Sequence, residues 1–596
     1  MRGVMVCLLA VSVVVAFSST GCSHRSRKHK RESLTITTTT LPDATEGVAY
    51  SYTVTASGGN AANYNWSVSG QPVWLSIDSS SGELSGTPPA NSAGTYTFTV
   101  TVDDGLQTAS KQFDLVVNSP TPLKADFEAT PTQGKASLTV TFTDLSTGNP
   151  TSWEWDFDND GTPDSTVQNP THTYSNPGWY TVKLTVSDGT NSDTCVKKKY
   201  ILVYSNVYYV DGANGDDTKS GADWGNAWKT LGHAFSQAGD YDLVLVADAT
   251  YNETNLDFSG KKIYLKGVDH NTTGQRPVID CQSGGRAFYF GSGETKDSVI
   301  DNFAIKDGKD NNGGAIYIGL NSSPTIINCT FSSNSANSYG GAVYCANSSP
   351  TVTNCTFGNN RANWYGGAVY CDSSTISINN CTFTGNSADW DGGAILCYSS
   401  SLTVTNCTFT GNSAEGSGGA ICCTDNTPMV TNCAFIHNSA SDDGGAIACY
   451  SSSPTITNCT FSDNSADYSG GMIYCDSSSP TMNNCILWGN SASSGGNEIY
   501  IYDSGSSCTL NYCCVDNTGY GFGSGVPTAT IDDSNNCIFV DPQFVDAAGG
   551  DYHLKDTSPC IDEGDNSLVP SGVTTDLDGN PRIVNGIVDI GCYEKQ

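Results

Sequence analysis

The sequence predicts an all-β chain: two small β-sandwiches, then a right-handed parallel β-helix (a solenoid) of about ten rungs, closed by a C-terminal cap. Three observations carry this. Cys329, Cys355, Cys381, Cys407, Cys433, Cys459 and Cys485 recur every 26 residues without drift. A second column, Cys345, Cys371, Cys397, Cys423, Cys449 and Cys475, keeps the same step, each two residues after an aliphatic. Each unit consists of short β-branched runs between Gly-Gly, Asn and Ser clusters, with no apolar pattern of helical period. Such a unit cannot bury its own core, so an identical neighbour on either side supplies the missing faces.

Composition bounds the partners. Lys and Arg number 27 against 60 Asp and Glu, a net charge of -33, and charged residues make up only 15% of the chain. No basic stripe is available to neutralise phosphates, which excludes nucleic acid as a partner. Between Asp310 and Leu554 the one Lys or Arg is Arg361. An acidic surface rich in Ser, Thr and Asn suits an extracellular, calcium-containing setting.

From the N-terminus, residues 1–21 read as a secretion signal, one Arg followed by an apolar run too short for a membrane span. The run ends in SSTGC, which resembles a bacterial lipoprotein processing site and implies that Cys22 is lipidated, although Ser19 stands where such sites usually carry Leu. Residues 22–33 form a basic tether suited to anionic headgroups. Export to an outer membrane or cell surface by a lipid anchor, or otherwise secretion, is expected, with the protein monomeric.

Residues 34–118 alternate as a β-sandwich does, in YSYTVTAS, YTFTVTVDDG and KQFDLVV. With Trp66, Leu75, Gly82, Gly86, Thr87 and Pro88, the segment resembles the immunoglobulin-like, cadherin-like modules of bacterial surface proteins. Residues 122–204 form a second sandwich. Its Trp155, Asp156, His172, Tyr174, Pro177, Gly178, Tyr180 and Val186 resemble the PKD (polycystic kidney disease) domain pattern, although DFDNDGTPD is longer than the usual WDFGDG. Asp156, Asp158 and Asp160 ahead of Gly161 alternate as a hard calcium ion prefers; Val167 stands where an EF-hand-type loop would have its bidentate glutamate.

Residues 206–515 are the β-helix. Their start resembles the entry of pectin-lyase-like β-helix proteins, which implies that a short helix near AWKTLGHAFSQA caps the first coil. The NCTF, NSA and GGAIY repeats resemble those of polymorphic outer-membrane proteins, without a C-terminal barrel pattern in this sequence. In TVTNCTF, Cys355 and Phe357 share parity, as Val369 and Cys371 do in GGAVYC, so both cysteine columns face inward. Thirteen of the 24 cysteines are then buried, acting as small hydrophobes; neighbouring strands are also close enough for bridging. The column Asn328, Asn354, Asn380, Asn406, Asn432, Asn458 and Asn484 is an amide ladder at a bend. Residues 516–596 resemble the C-terminal closure of bacterial secreted β-helix repeat proteins. Cys560 and Cys592 stand where those proteins usually have a small residue, and the resemblance implies a disulfide between them.

A lyase needs a basic residue near a uronate, and Arg361 and His437 lie about three rungs apart, which disfavours one. Acidic and aromatic residues concentrate in the turn before Gly-Gly: Trp364, Tyr365, Asp389, Trp390, Asp391, Glu415, Asp442 and Asp443. Aromatic faces beside carboxylates suit sugar rings and their hydroxyls. Turns of an acidic solenoid also collect Asp by default. The expected function is binding or adhesion at the cell surface, to polysaccharide, without catalysis. The alternative is a glycoside hydrolase acting through Asp391, Glu415, Asp442 or Asp443, since alternate rungs bring carboxylates about 10 Å apart.

Overall fold

The 26-residue repeat becomes a rung-to-rung register. In the computed structural model, which describes residues 32–596, Thr356, Phe357 and Gly358 pair with Thr382, Phe383 and Thr384, and these with Thr408, Phe409 and Thr410. Four parallel sheets run along the solenoid. The first has 13 strands, from Val207–Val210 to Ile531–Asn535, and the second 11, from Thr250–Tyr251 to Cys514–Val515. The third has 10 strands, from Phe288–Phe290 to Tyr520–Phe522, and the fourth 8, from Lys309–Asn312 to Ser491–Ala492. Coil pairing therefore continues past 515, and each full coil contributes four short strands.

Both cysteine columns point inward, as parity requires, and every member is buried as a free thiol. Beside them Phe331, Phe357, Phe383, Phe409, Phe435 and Phe461 stack with centroids 4.6 to 4.8 Å apart and planes within 9°. The Gly-Gly pair has a steric cause. Gly366 adopts φ +68°, and a Cβ on Gly367 would come within 2.1 Å of the Gly393 carbonyl oxygen of the next coil.

Two asparagine columns stack, with different roles. Asn328, Asn354, Asn380, Asn406, Asn432, Asn458 and Asn484 occupy the expected bend, all at φ between +49° and +56°, a conformation asparagine tolerates. Their amide ladder is intermittent, at 3.2 Å from Asn354 to Asn328 and 2.7 Å from Asn432 to Asn406. The continuous ladder is the other column, Asn334 to Asn490 in the NSA motif. Each of these amides donates to the next one's oxygen at 2.8 to 3.0 Å and is fully or nearly buried. Glu498, 1% exposed, ends it by accepting from the Asn490 amide, and burial pushes its carboxyl up to about 8.

The chain divides into two units. One is centred on the first sandwich, where Phe98, Val100 and Val102 face Phe113, Leu115 and Val117 around Trp66. The other holds most of the PKD-type sandwich and the whole solenoid. In it Phe127, Phe142, Trp155, Phe157 and Tyr174 form an aromatic core, and Trp179 packs on Tyr264 of the first sheet, 5.5 Å between rings. The helix Leu231–Gln237 closes the first coil, burying Leu231, Ala234 and Phe235, with Thr230 as its N-cap.

The C-terminal segment folds back along the outside of the solenoid instead of simply covering its last coil. Asp565 N–H donates to Asn484 Oδ1 at 2.9 Å, Asn432 Nδ2 to the Thr575 carbonyl at 3.2 Å, and Cys592 N–H to Thr460 Oγ1 at 3.1 Å. The reason is apolar: Ala434, Ile436 and Ile486 stand at outward positions that carry Thr in other rungs, and they bury against Phe544, Tyr552 and Ile590.

Candidate functional site

The turn before Gly-Gly contributes three successive residues per coil, and backbone hydrogen bonds between rungs stack each in its own column. Trp390 N–H donates to the Trp364 carbonyl at 3.0 Å, Gly416 N–H to Trp390 at 2.9 Å and Asp442 N–H to Gly416 at 3.1 Å. The expected face is thus an edge column of Asp389 and Glu415, a crest of Trp364, Trp390, Gly416 and Asp442, and an inner column of Tyr365, Asp391, Ser417 and Asp443.

On the crest, Trp364 and Trp390 are 46% and 55% exposed and stack at 6.4 Å and 28°. Tyr339 and Tyr365 back them edge-on at 5.5 Å each. The platform stops at Gly416, where a notch of about 250 Å³ opens between Asp389, Trp390, Asp391, Glu415 and Asp442. Gly416 leaves the Asp391 carboxylate room there, because a Cβ would lie 2.3 Å from its Oδ1. The Asp391 carboxylate uses that space and accepts the Ser417 N–H at 2.8 Å.

The carboxylates differ in environment. Burial raises Asp391 above the ordinary carboxylate range, and the charge of Asp442 adds to it. Asp443, two rungs along the same column and accepting from Ser469 N–H at 3.0 Å, is raised by burial to about 6. Glu415 and Asp442 are exposed at the rim. Asp389 pairs with Arg361 (Nη2 to Oδ1, 2.5 Å), so the repeats' one arginine belongs to this face. The 26-residue step from strand position 361 to 387 could have shown Arg361 one rung below the Asp389 turn. His437 lies elsewhere, with its Nε2 3.4 Å from the Tyr552 hydroxyl of the folded-back segment.

The carboxylates of the PKD-type loop that converge are Asp156, Asp158 and Asp164, with ligand atoms within 4.8 Å of one another. Asp160 does not join them: its carboxylate turns to the Thr162 N–H at 2.7 Å, as an Asx turn favours. Asp164, held by the Phe157 N–H at 2.7 Å, takes its place because the long loop doubles back to pair with the Trp155 backbone. Burial raises Asp158, with Asp160, Asp164 and Asp156 adding repulsion. An all-oxygen donor set of this kind fits a hard cation.

Cys560 and Cys592, expected as a disulfide, are both buried free thiols in the folded-back segment. Each is engaged separately: Cys560 faces the thiol of Cys514, and Cys592 is fixed through its N–H on Thr460. Cys22 lies outside the described residues.

Comparison with known families places three matches along the chain. The model for a right handed beta helix region matches residues 246–409 and 393–562, that for a PKD domain matches 117–203, and that described as "Putative Ig domain" matches 32–118. No curated protein matches the sequence. Among solved structures, pectate lyase Pel9A aligns over 66% of this chain and 97% of its own at 15% identity and a TM-score of 0.37. An endo-fucoidan hydrolase from glycoside hydrolase family 107 aligns over 28% of each chain at 21% identity and a TM-score of 0.15. A Dscam structure aligns over 28% of this chain and 46% of its own at 14% identity and a TM-score of 0.15. This chain thus spans less than half the length of the last two, and none of the three likenesses bears on activity.

Proposed function

The chain belongs to the family of right-handed β-helix proteins, and from that premise we propose that it binds polysaccharide through the turn crest of the solenoid, as an exported, non-catalytic surface protein. The observation that carries this reading is the pair of half-exposed, stacked tryptophans Trp364 and Trp390, which leads into a notch ringed by Asp389, Asp391, Glu415 and Asp442. Indole faces left in water on a turn add little to the core and suit the apolar faces of sugar rings, while carboxylates accept from sugar hydroxyls. Neutral or cationic glycans are favoured over polyuronates, which a net charge of -33 repels.

Retention of glycans by the full chain tests the reading. Trp364→Ala and Trp390→Ala should each weaken binding at least about tenfold without lowering the melting temperature. If both bind every retained glycan as the wild type does, the crest is not the ligand face. Anchoring through Cys22 belongs to the same reading: a Cys22→Ser variant should leave the membrane fraction, and wild-type protein without an N-terminal lipid would overturn it.

One observation favours a second reading, hydrolysis. Asp391 is raised by burial, with the charge of Asp442 adding to it, so two carboxylates of one notch sit in different environments, as the carboxylate pair of a glycosidase does. Asp391→Ala and Glu415→Ala divide the two: a binding module keeps much of its affinity, whereas a hydrolase loses release of reducing ends by orders of magnitude.

A further inference from the structure

The outer face of the third sheet carries a tyrosine ladder with a gap. Tyr289, Tyr317, Tyr344 and Tyr370 share one column, with successive ring centroids 5.1, 5.2 and 5.6 Å apart. The next three rungs put Leu396, Cys422 and Ala448 there, before Tyr474 and Tyr500 resume the stack at 5.8 Å. Tyr450 closes the part of the gap over Cys422 and Ala448, its hydroxyl 2.8 Å from Ser417 Oγ. Leu396, 5% exposed and packed with Tyr365 beside Tyr370, is shorter than the tyrosine it replaces. A cleft of about 350 Å³ remains, lined by Tyr365, Tyr370, Asp372, Asp391, Leu396 and Tyr398.

The cleft has an apolar floor, aromatic walls and a carboxylate on each side. Asp391 comes from the inner turn column and Asp372 from the residue after the strand core. Asp391 accepts the Ser417 N–H and Asp372 accepts the Ser373 hydroxyl, each at 2.8 Å. A carboxylate offers about four acceptor positions, so both retain capacity. Among the described residues no basic side chain lines this cleft, whereas Arg361 already neutralises Asp389 on the other side of the crest.

We propose that this cleft takes the ring of an amino sugar with a free ammonium group. The ring continues the stack where a tyrosine is missing, packing on Tyr370 and Leu396. The ammonium lies between Asp372 and Asp391, with Tyr365 and Tyr398 adding cation–π attraction. Both carboxylates line the cleft with no basic side chain of the described residues beside them, so an ammonium there gains two acceptors that a neutral hydroxyl uses less well. The inference rests on the glycan reading above and deepens it, because Asp391 lines both the crest notch and this cleft, so neighbouring rings of one chain meet at that residue.

The test is calorimetric titration of the full chain, at physiological salt, with the glucosamine trisaccharide, its N-acetylated counterpart and a neutral glucose trisaccharide. The free-amine trimer should bind at least about tenfold tighter than the other two. Leu396→Tyr, which completes the ladder, and Asp372→Asn should each remove that preference while leaving neutral binding unchanged. Asp476→Asn, four rungs along the Asp372 column and outside the cleft, should change nothing; if it removes the preference equally, the effect is bulk charge and the inference fails. Should Leu396→Tyr not fold, Asp372→Asn decides. Neutral binding that depends on Trp364 and Trp390 without any amine preference overturns this inference and leaves the platform reading intact. Amine binding that depends on Asp372 but not on the tryptophans does the reverse, and no binding of any trimer overturns both.

Discussion

Replacing Asn412 by Ala in the middle of the buried ladder should be among the most damaging single changes in the solenoid. Its side-chain oxygen accepts from the Asn386 N–H at 3.0 Å and the Asn386 amide at 2.9 Å, and its amide donates to the Phe383 carbonyl at 3.0 Å. Asn412 and Asn386 are both 0% exposed, so alanine strands the Asn386 N–H, one Asn386 amide hydrogen and the Phe383 carbonyl away from water, while Asn386 Nδ2 keeps the Phe357 carbonyl and Asn438 Oδ1 keeps the residue 412 N–H. At about 1–3 kcal/mol per stranded buried group, the cost is about 3–6 kcal/mol, in the lower part of the sum because a water can enter the vacated volume. The control is Asn406→Gly in the bend column. It loses the 2.7 Å bond from Asn432 but keeps the φ of +52°, which glycine adopts freely, and should cost about 1 kcal/mol or less. Guanidinium unfolding of the full chain followed by circular dichroism measures both, and hydrogen exchange should place the Asn412→Ala loss on the rungs from 386 to 438. If the two variants unfold within about 1 kcal/mol of each other, the buried ladder is not a stabilising network and the reasoning fails.

Three further outcomes are expected. Glu498 is held protonated to about 8 against an ordinary 4.5, so its contribution to stability is full below about pH 4.5 and is lost as pH rises towards 8; Glu498→Gln should flatten that part of the stability profile, and parallel profiles for variant and wild type would contradict it. Gly416→Ala puts a methyl where the Asp391 carboxylate lies, so it should lower stability by about 1–3 kcal/mol and weaken glycan retention without abolishing it, with unchanged retention counting against the notch. If the PKD-type loop takes calcium, the ion should raise the melting temperature of the full chain, Asp164→Asn should cancel the rise and Asp160→Asn should keep it; indifference of the wild type to calcium and chelator removes the cation altogether.

The period of 26, the inward cysteines and phenylalanines and the bend at the asparagine column were legible in the sequence, because each depends on one repeat and its own parity; the left-handed φ of those asparagines and the gaps in their ladder were not. The two sandwiches were legible for the same reason, strand alternation being local. Turn residues 389, 390 and 391 are adjacent in sequence, yet the stacking of coils sends them to an edge, a crest and a partly buried column, and only that stacking pairs Arg361 with Asp389. Between the two asparagine columns, composition could not say which was buried, since both recur identically; the path of the backbone between the second and fourth sheets encloses the NSA column and leaves much of the other at the surface. Asp164 displaced Asp160 because a loop turned back on itself, and the C-terminal segment settled on Ala434, Ile436 and Ile486 because apolar area scattered over separate rungs becomes one patch only when the rungs are stacked. Local pattern determined which residues face inward; the contacts among neighbouring coils decided which outward side chains meet, and the candidate ligand face is made of those.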